Sequence, residues 1–355
     1  MSRFPSRSKA LAIVVGMAAI VILLSTGIGY GFNDRLGLLG PAAEVQERHT
    51  GRMMANPHVV GTAVGLTEDG RPAVKVLTKR PGVAGIPEQL EGFPVEVEVT
   101  GEIFALPANG SEMPLAVQGK GKPGTRIDPT GSFVRPVPIG VSTGNEGECS
   151  AGTIGARVKS SNKVYALSNN HVYALENKAS KGSYVLQPGR YDTQCSIEIA
   201  NEIGTLSDFE PLIFDGTSNT IDAAIAVSTP EDLDYRTPAN GYGAPNSSIG
   251  TASVNLAVKK YGRTTSLTHG TVSAINANVN VGYSSGTALF TNQVVVTANK
   301  GAFIKAGDSG SLLVTDEGNN PVGLLFAGNG SGKFAIANHI EDVLGRFNVS
   351  IDDGQ

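Results

Sequence analysis

From Val137 to Val349 the chain is a succession of short runs rich in Val, Ile, Ala and Thr, each cut off by Gly, Asn, Asp or Ser. Examples are Thr153–Val158, Val164–Leu167, Ala223–Val227, Val294–Val296 and Val322–Phe326. Turn residues separate such runs at intervals of roughly 10–20 residues, a spacing that predicts an all-β barrel or sandwich rather than βαβ units. Ile340 to Arg346 reads as one short terminal helix, and no repeat of fixed period is visible.

Upstream the pattern changes. Residues 41–56 have few breakers and predict a short helix. His58–Leu66 and Ala73–Leu77 read as strands joined by the Asp69-Gly70 turn, a hairpin signal. Ile86–Leu90 reads as a short helix or turn, and Val95–Val99 alternates apolar and charged residues with the period of a half-buried strand. Together residues 41–105 make a small α+β leader domain. Residues 106–136 turn to Gly, Pro, Ser and Lys without an apolar period and read as a flexible linker.

The N-terminus is a targeting segment. Arg3, Arg7 and Lys9 precede an apolar run from Ala10 to about Phe32. About 20 residues suffice to cross a bilayer, whereas the core of a cleaved signal peptide is usually shorter, and no Ala-x-Ala site follows. Residues 1–33 are therefore expected to be a signal anchor or a cleaved signal peptide. With the basic flank first, the bulk of the chain falls on the extracytoplasmic side, anchored to the membrane or secreted.

A length of 355 residues suggests two or three folded units, and 40% apolar residues are enough for their cores. The net charge of −4, with no basic cluster after residue 34, argues against a nucleic-acid partner. The two cysteines, Cys149 and Cys195, are one disulfide outside the cytosol, or else two buried thiols. CxxC spacing is missing, so a zinc site is not expected.

Three short segments carry chemistry. In Gly307-Asp308-Ser309-Gly310-Ser311 the flanking glycines let the backbone turn sharply and aim its N–H groups at one point. A serine hydroxyl needs such an anion site and a neighbouring base before it becomes a nucleophile. The bland alternative is a Gly-Ser loop that merely turns. In Leu167-Ser168-Asn169-Asn170-His171-Val172 a histidine directly follows a strand, where a general base can meet substrate, or where a surface residue can simply cap. In Thr220-Ile221-Asp222-Ala223-Ala224 an acid stands at an apolar strand, costly to bury unless paired, or else exposed at the strand's start. The chain order is His, Asp, Ser with separations of 51 and 87 residues. Subtilisin-type enzymes place Asp first and α/β-hydrolases place Ser first, so both fall away.

At these segments the sequence resembles the chymotrypsin/trypsin family of serine peptidases. Gly307–Gly310 is similar to its nucleophile loop, Asn170-His171-Val172 to its histidine motif, Ile221–Ala224 to its aspartate motif and Cys149–Ile154 to an early strand. Leu186–Gly189, Gly262-Arg263-Thr264-Thr265 and Val322–Gly328 are similar to a bacterial branch related to plant narrow-leaf proteins. The leader also looks like that branch's. The resemblance covers about residues 135–350. It implies a mainly β fold of two six-stranded antiparallel barrels, about 137–240 and 250–350, after the N-terminal helix and the α+β domain.

It further implies Ser309 as nucleophile, His171 as base and Asp222 as orienter, with the amides of Gly307 and Ser309 as oxyanion hole. Phe303 would lie at the base of the specificity pocket and Phe326, Ala327 and Gly328 along its wall. No acid stands there, so cleavage after Lys or Arg is disfavoured and a small or apolar preference is expected. The implied substrate is a protein or peptide, with no cofactor and no metal. Departures are Asn170 before the histidine, Cys195 lying 24 residues after His171, and no free N-terminus to pair with Asp308. The competing account is a binding or scaffold protein on a peptidase fold, since fold does not settle function.

Overall fold

The computed structural model describes residues 39–105 and 127–355. The expected signal or anchor at 1–33 and residues 106–126 of the expected linker lie outside the described residues. No helix among the described residues is long and apolar enough to cross a membrane.

The leader begins with helix α1 (Gly40–Met54), with Pro41 in its first turn, where a missing N–H costs nothing. Its Ala42, Ala43, Val45 and Met53 are buried. Strands β1 (Val59–Leu66) and β2 (Pro72–Thr78) form the expected hairpin in register Leu66↔Pro72. Where a helix or turn was expected over 86–90, Gln89–Leu90 is instead a short strand, β3, paired with β4 (Phe93–Val99). The two-residue loop Glu91-Gly92 has φ of 48° and 88°, the backbone a tight hairpin demands. In β4 the alternation holds, but Val97 and Val99 are 46% exposed while Glu96 and Glu98 turn toward Lys75. The Lys75 ammonium is nearly covered and needs its counter-charges more than the valines need burial. Strand β5 (Ile103–Ala105) ends the leader.

The first barrel holds β6 (Ser142–Asn145), β7 (Gly152–Thr153), β8 (Ala156–Ser160), β9 (Lys163–Ser168), the one-turn helix α2 (Asn170–Tyr173), β10 (Tyr184–Leu186) and β11 (Glu202–Phe209). After β12 (Ser218–Asn219), which pairs elsewhere, comes β13 (Ala224–Ser228). Pairing runs β8-β9-β13-β11-β10-β6-β7. Only Ile154 and Gly155 separate β7 from β8, and their amides bond to Val141 and Leu167 at 3.0 and 2.8 Å, so the sheet closes on itself. Val141, Ile154, Ala166, Val185, Ile203 and Leu206 are packed in its core.

The second barrel holds β14 (Ala257–Gly262), β15 (Ser266–Tyr283), β16 (Gly286–Ala298), β17 (Leu312–Thr315), β18 (Pro321–Asn329) and β19 (Phe334–His339). Its ring is closed: β14-β15-β16-β19-β18-β17 and back to β14. Helix α3 (Ile340–Phe347) and β20 (Ser350–Ile351) then cross back to the first barrel, pairing Ile351 with Val158. Between the barrels Val158, Leu167, Ile225, Leu324, Val343 and Leu344 share one apolar cluster.

The leader is joined to the second barrel by main-chain pairing. β1 lies antiparallel to β15, so the wall of that barrel continues into the leader sheet. At Gly61 a Cβ would meet the Asn278 carbonyl at 2.6 Å, and only glycine fits this approach. β5 lies against both β15 and β18. Cys149 and Cys195 are bonded, with Cα atoms 5.0 Å apart. The loop they close contains His171; on chain entropy alone such a closure stabilises by about 4 kcal/mol.

Candidate active site

Strand β9 ends at Ser168, and the next three side chains fix the turn that delivers the histidine. The Ser168 hydroxyl donates to the Thr153 carbonyl at 2.8 Å. The Asn169 amide donates to the Asp222 carbonyl at 2.7 Å, and Asn170 reaches the Glu210 carbonyl at 2.6 Å. His171 therefore sits at the barrel edge on a turn pinned from both sides. Asn170 is one of these pins rather than a stand-in for a small residue.

Asp222 is fully buried just before β13. Its Oδ2 lies 2.6 Å from His171 Nδ1 and accepts a bond from the Tyr283 hydroxyl at 2.8 Å, while Oδ1 faces the His171 amide at 3.3 Å. A buried carboxylate is costly without partners, and here it has three. The Asp222 amide donates to Asn338, Asn338 to Gln293, and Gln293 to the Thr220 carbonyl, at 3.0, 2.7 and 2.8 Å. The second barrel thus holds the acid that orients a histidine of the first.

Ser309 lies on the loop before β17 and is fully buried. Gly307 and Gly310 have φ of 94° and 93°. A Cβ on Gly310 would strike the Ser168 hydroxyl and the Thr153 carbonyl, each at 2.3 Å. Thr153 grips the loop twice, its amide on the Ser309 carbonyl and its hydroxyl on the Gly307 carbonyl, both at 2.8 Å. The Ser309 hydroxyl donates to the Phe326 carbonyl at 3.3 Å. His171 Nε2 is buried and has no hydrogen-bond partner among the described residues. The amides of Gly307 and Ser309 likewise donate no bond among the described residues.

Asp308, for which the sequence offered no partner, has a full set. Its oxygens accept from the amides of Thr264, Thr265 and Lys305 at 2.8, 3.1 and 2.9 Å and from the Thr265 hydroxyl at 2.7 Å. The fully buried Lys260 ammonium lies 3.6 Å away. Burial holds that ammonium below the ordinary lysine range, against the pull of Asp308. The Gly262–Thr265 motif is therefore a clamp on the Gly307–Ser311 loop. Gly262 lets it close, since a Cβ there would lie 2.6 Å from Asp308. Arg263 anchors the clamp to Asp192 of the first barrel.

A cleft of about 1210 Å³ opens at the histidine, lined among others by His171, Leu175, Glu176, Tyr283 and Ala306. Phe104 and Ala105 of β5 stand in the same wall. β5 runs antiparallel to β18 in register Ala327↔Ala105 and Gly328↔Phe104, starting one residue after Phe326. Of the residues expected to shape a specificity pocket, Phe303 is fully buried in the core of the second barrel. The Phe326 ring packs on Phe290 with centroids 4.6 Å apart. Ala327 and Gly328 present their backbone to β5. Apolar rings gain more from the barrel interior than from a wet cleft, which accounts for both phenylalanines. Among the described residues no cluster of His, Cys, Asp and Glu could hold a metal.

Sequence reasoning missed Tyr283, Gln293, Asn338 and Lys260. All four act across long sequence separations, and no local motif marks them.

Residues 245–344 match the family model of the Nal1 C-terminal domain. A search of curated proteins finds no match. Similar solved structures include a glutamic acid specific serine protease that uses a histidine triad in substrate binding, 24% identical over 61% of this chain and 100% of that one, TM-score 0.44. Thermobifida fusca protease A is 21% identical over 61% and 100%, TM-score 0.45. Cellulomonas bogoriensis chymotrypsin is 21% identical over 61% and 98%, TM-score 0.42. With its paired barrels the chain is similar to these bacterial chymotrypsin-like serine proteases, and over residues 245–344 it is similar to the Nal1 C-terminal domain.

Proposed function

We propose that the protein is an exported serine endopeptidase that cleaves peptide bonds through an acyl-enzyme on Ser309. The observation that carries this reading is the buried His171–Asp222 pair at 2.6 Å, which leaves His171 Nε2 unpartnered among the described residues. Bonded to Asp222, Nδ1 carries the ring proton and leaves the Nε2 lone pair to act as base. The Ser309 hydroxyl turns from the Phe326 carbonyl toward Nε2 as substrate enters, a tightening common between free and bound sites. Its oxygen attacks the peptide carbonyl, His171 takes the proton and then gives it to the leaving amine. The unspent amides of Gly307 and Ser309 receive the developing oxyanion. The absence of an acid among Phe303, Phe326, Ala327 and Gly328 supports a small or apolar residue before the scissile bond. The Cys149–Cys195 bond is consistent with life outside the reducing cytosol.

A fluorophosphonate probe tests the reading. The wild-type chain is expected to become labelled on Ser309, and Ser309→Ala to stay unlabelled. A wild type as inert as the variant would leave the scaffold account standing.

One observation favours a second reading, a latent form covered by its own leader. β5 occupies the edge of β18 along which an extended peptide would add as a strand. Ile103, 2% exposed, anchors β5 in the core. Ile→Ala in a core costs about 2–5 kcal/mol, so Ile103→Ala is expected to loosen the strand and raise the labelling rate several-fold. An unchanged or lower rate, with the fold intact by circular dichroism, counts against latency.

A further inference from the structure

The β15–β16 hairpin is the longest among the described residues, with strands of 18 and 13 residues, and its tip reaches the first barrel. Tyr283 closes β15. Its hydroxyl donates to Asp222 Oδ2 at 2.8 Å. Its ring meets His171 edge-on with centroids 5.9 Å apart, meets Phe214 edge-on at 5.7 Å, and stacks on Phe290 at 6.2 Å. The next two residues tie the tip to the loop that follows the histidine. The amides of Ser284 and Ser285 donate to Glu176 at 3.0 and 2.8 Å, and both hydroxyls add to them. Glu176 belongs to the loop after α2, five residues past His171. One hairpin tip therefore grips the barrel carrying the base at two points, Asp222 and Glu176.

The chemistry of the contact is one-sided. Burial, with the Asp222 and Glu176 carboxylates nearby, pushes the Tyr283 phenol well above its ordinary value, so it is a donor at every working pH. Burial would raise Glu176, but bonds from Ser285 and Ser284 hold it below the usual carboxylate range and the tether stays charged. The titratable groups around the tip are Asp222, His171, Glu176 and, further out, Lys178, which approaches the Ser284 hydroxyl at 3.5 Å. Asp222 Oδ1 has only the long 3.3 Å bond from the His171 amide to fix it. The Tyr283 bond is the second short one on the carboxylate. Together with Nδ1 it sets the plane of the group and draws off part of its negative charge.

We propose that Tyr283, delivered by the hairpin tip, is a positioning residue that locks the Asp222 carboxylate onto His171 and tempers its charge. In its effect on rate this rests on the serine-peptidase reading; in its effect on the histidine it does not.

Tyr283→Phe keeps the ring and removes the hydroxyl. Histidine-labelled NMR then follows the His171 titration, and fluorophosphonate labelling follows Ser309. With one donor gone, Asp222 attracts the imidazolium more strongly, so the His171 pKa is expected to rise and the acid limb of the labelling profile to move up with it. The labelling rate at its plateau is expected to fall about 10-fold, the size of one hydrogen bond to a charged group. Glu176→Gln, which weakens the tether without touching Asp222, is expected to act in the same direction to a smaller degree. It keeps the question open to test should Tyr283→Phe fail to fold. A shifted His171 titration in a protein whose wild type never labels would overturn the peptidase reading and leave the clamp standing. An unshifted titration and an unchanged rate in a folded Tyr283→Phe chain would overturn the clamp.

Discussion

Asp222→Asn is expected to lower the rate at which Ser309 is labelled, and any peptide turnover, by about 10,000-fold without unfolding the protein. The carboxylate receives three donors: His171 Nδ1, the His171 amide and the Tyr283 hydroxyl. An amide has one acceptor oxygen for the same places. If that oxygen faces the His171 amide, the new NH₂ group points at Nδ1 and at Tyr283. The phenol can turn and accept, but Nδ1 must give up its proton to do so. The ring proton then sits on Nε2, and no lone pair faces the serine. Reversing the amide would set its NH₂ against a backbone N–H, so the wrong tautomer is the favoured outcome. Circular dichroism and the thermal midpoint monitor the fold while the probe reads the rate. A variant that labels within tenfold of wild type would mean that His171 does not depend on Asp222 for its tautomer.

What could be read in the sequence and what could not divides along a physical line. Ser309, His171 and Asp222 each sit in a short segment whose local chemistry is unusual: glycines about a serine, a histidine at a strand end, an acid in an apolar strand. Their surroundings suffice to nominate them. Helix α1 was legible from Pro41 and its lack of breakers, and the β1–β2 hairpin from Asp69-Gly70. The β3–β4 hairpin was missed although Glu91-Gly92 marked its turn, because Pro87 and the polar residues around it read more readily as a helix start. For Phe303, alignment to a nucleophile loop gives a position but not the side on which the ring points, and the structure shows that ring fully buried in the second barrel. Tyr283, Asn338 and Lys260 were invisible because nothing local sets them apart. A tyrosine at a strand end, an asparagine in a strand and a lysine between Lys259 and Tyr261 acquire meaning only when 61, 116 or 48 residues of chain bring them to Asp222 or Asp308. The attachment of the leader through β1 and β15 is of the same kind, since strand pairing at that separation leaves no mark in either strand.

Asp308→Asn is expected to lower stability by about 3–5 kcal/mol, the usual effect of breaking a buried ion pair from one side. It is also expected to cut labelling of Ser309 at least 100-fold. Asp308 sits between Gly307 and Ser309, whose amides would receive the oxyanion in the proposed mechanism, and both of its oxygens are spoken for by donors from Thr264, Thr265 and Lys305. An asparagine must turn an NH₂ group against one of these sets, so the loop has to shift. Meanwhile the Lys260 ammonium is left in the core without its counter-charge. That second cost depends on pH. The folded lysine lies below its free value of 10.5, further so once Asp308 is gone, while the unfolded chain keeps that value. Between the folded value of the variant and the higher one of the wild type, the unfolded state binds more protons than the folded state in the variant alone, so the stability deficit of Asp308→Asn should narrow with rising pH across that window, which lies below 10.5. Lys260→Met leaves Asp308 its four hydrogen bonds and is expected to cost less in stability and little in labelling. Adding it to Asp308→Asn should recover part of the lost stability, because the stranded charge is gone, but not the labelling, because the colliding donors remain. Urea denaturation of the four proteins across pH, with probe labelling of each, separates the charge from the geometry. Full labelling by a folded Asp308→Asn chain would show that the clamp does not set the nucleophile loop.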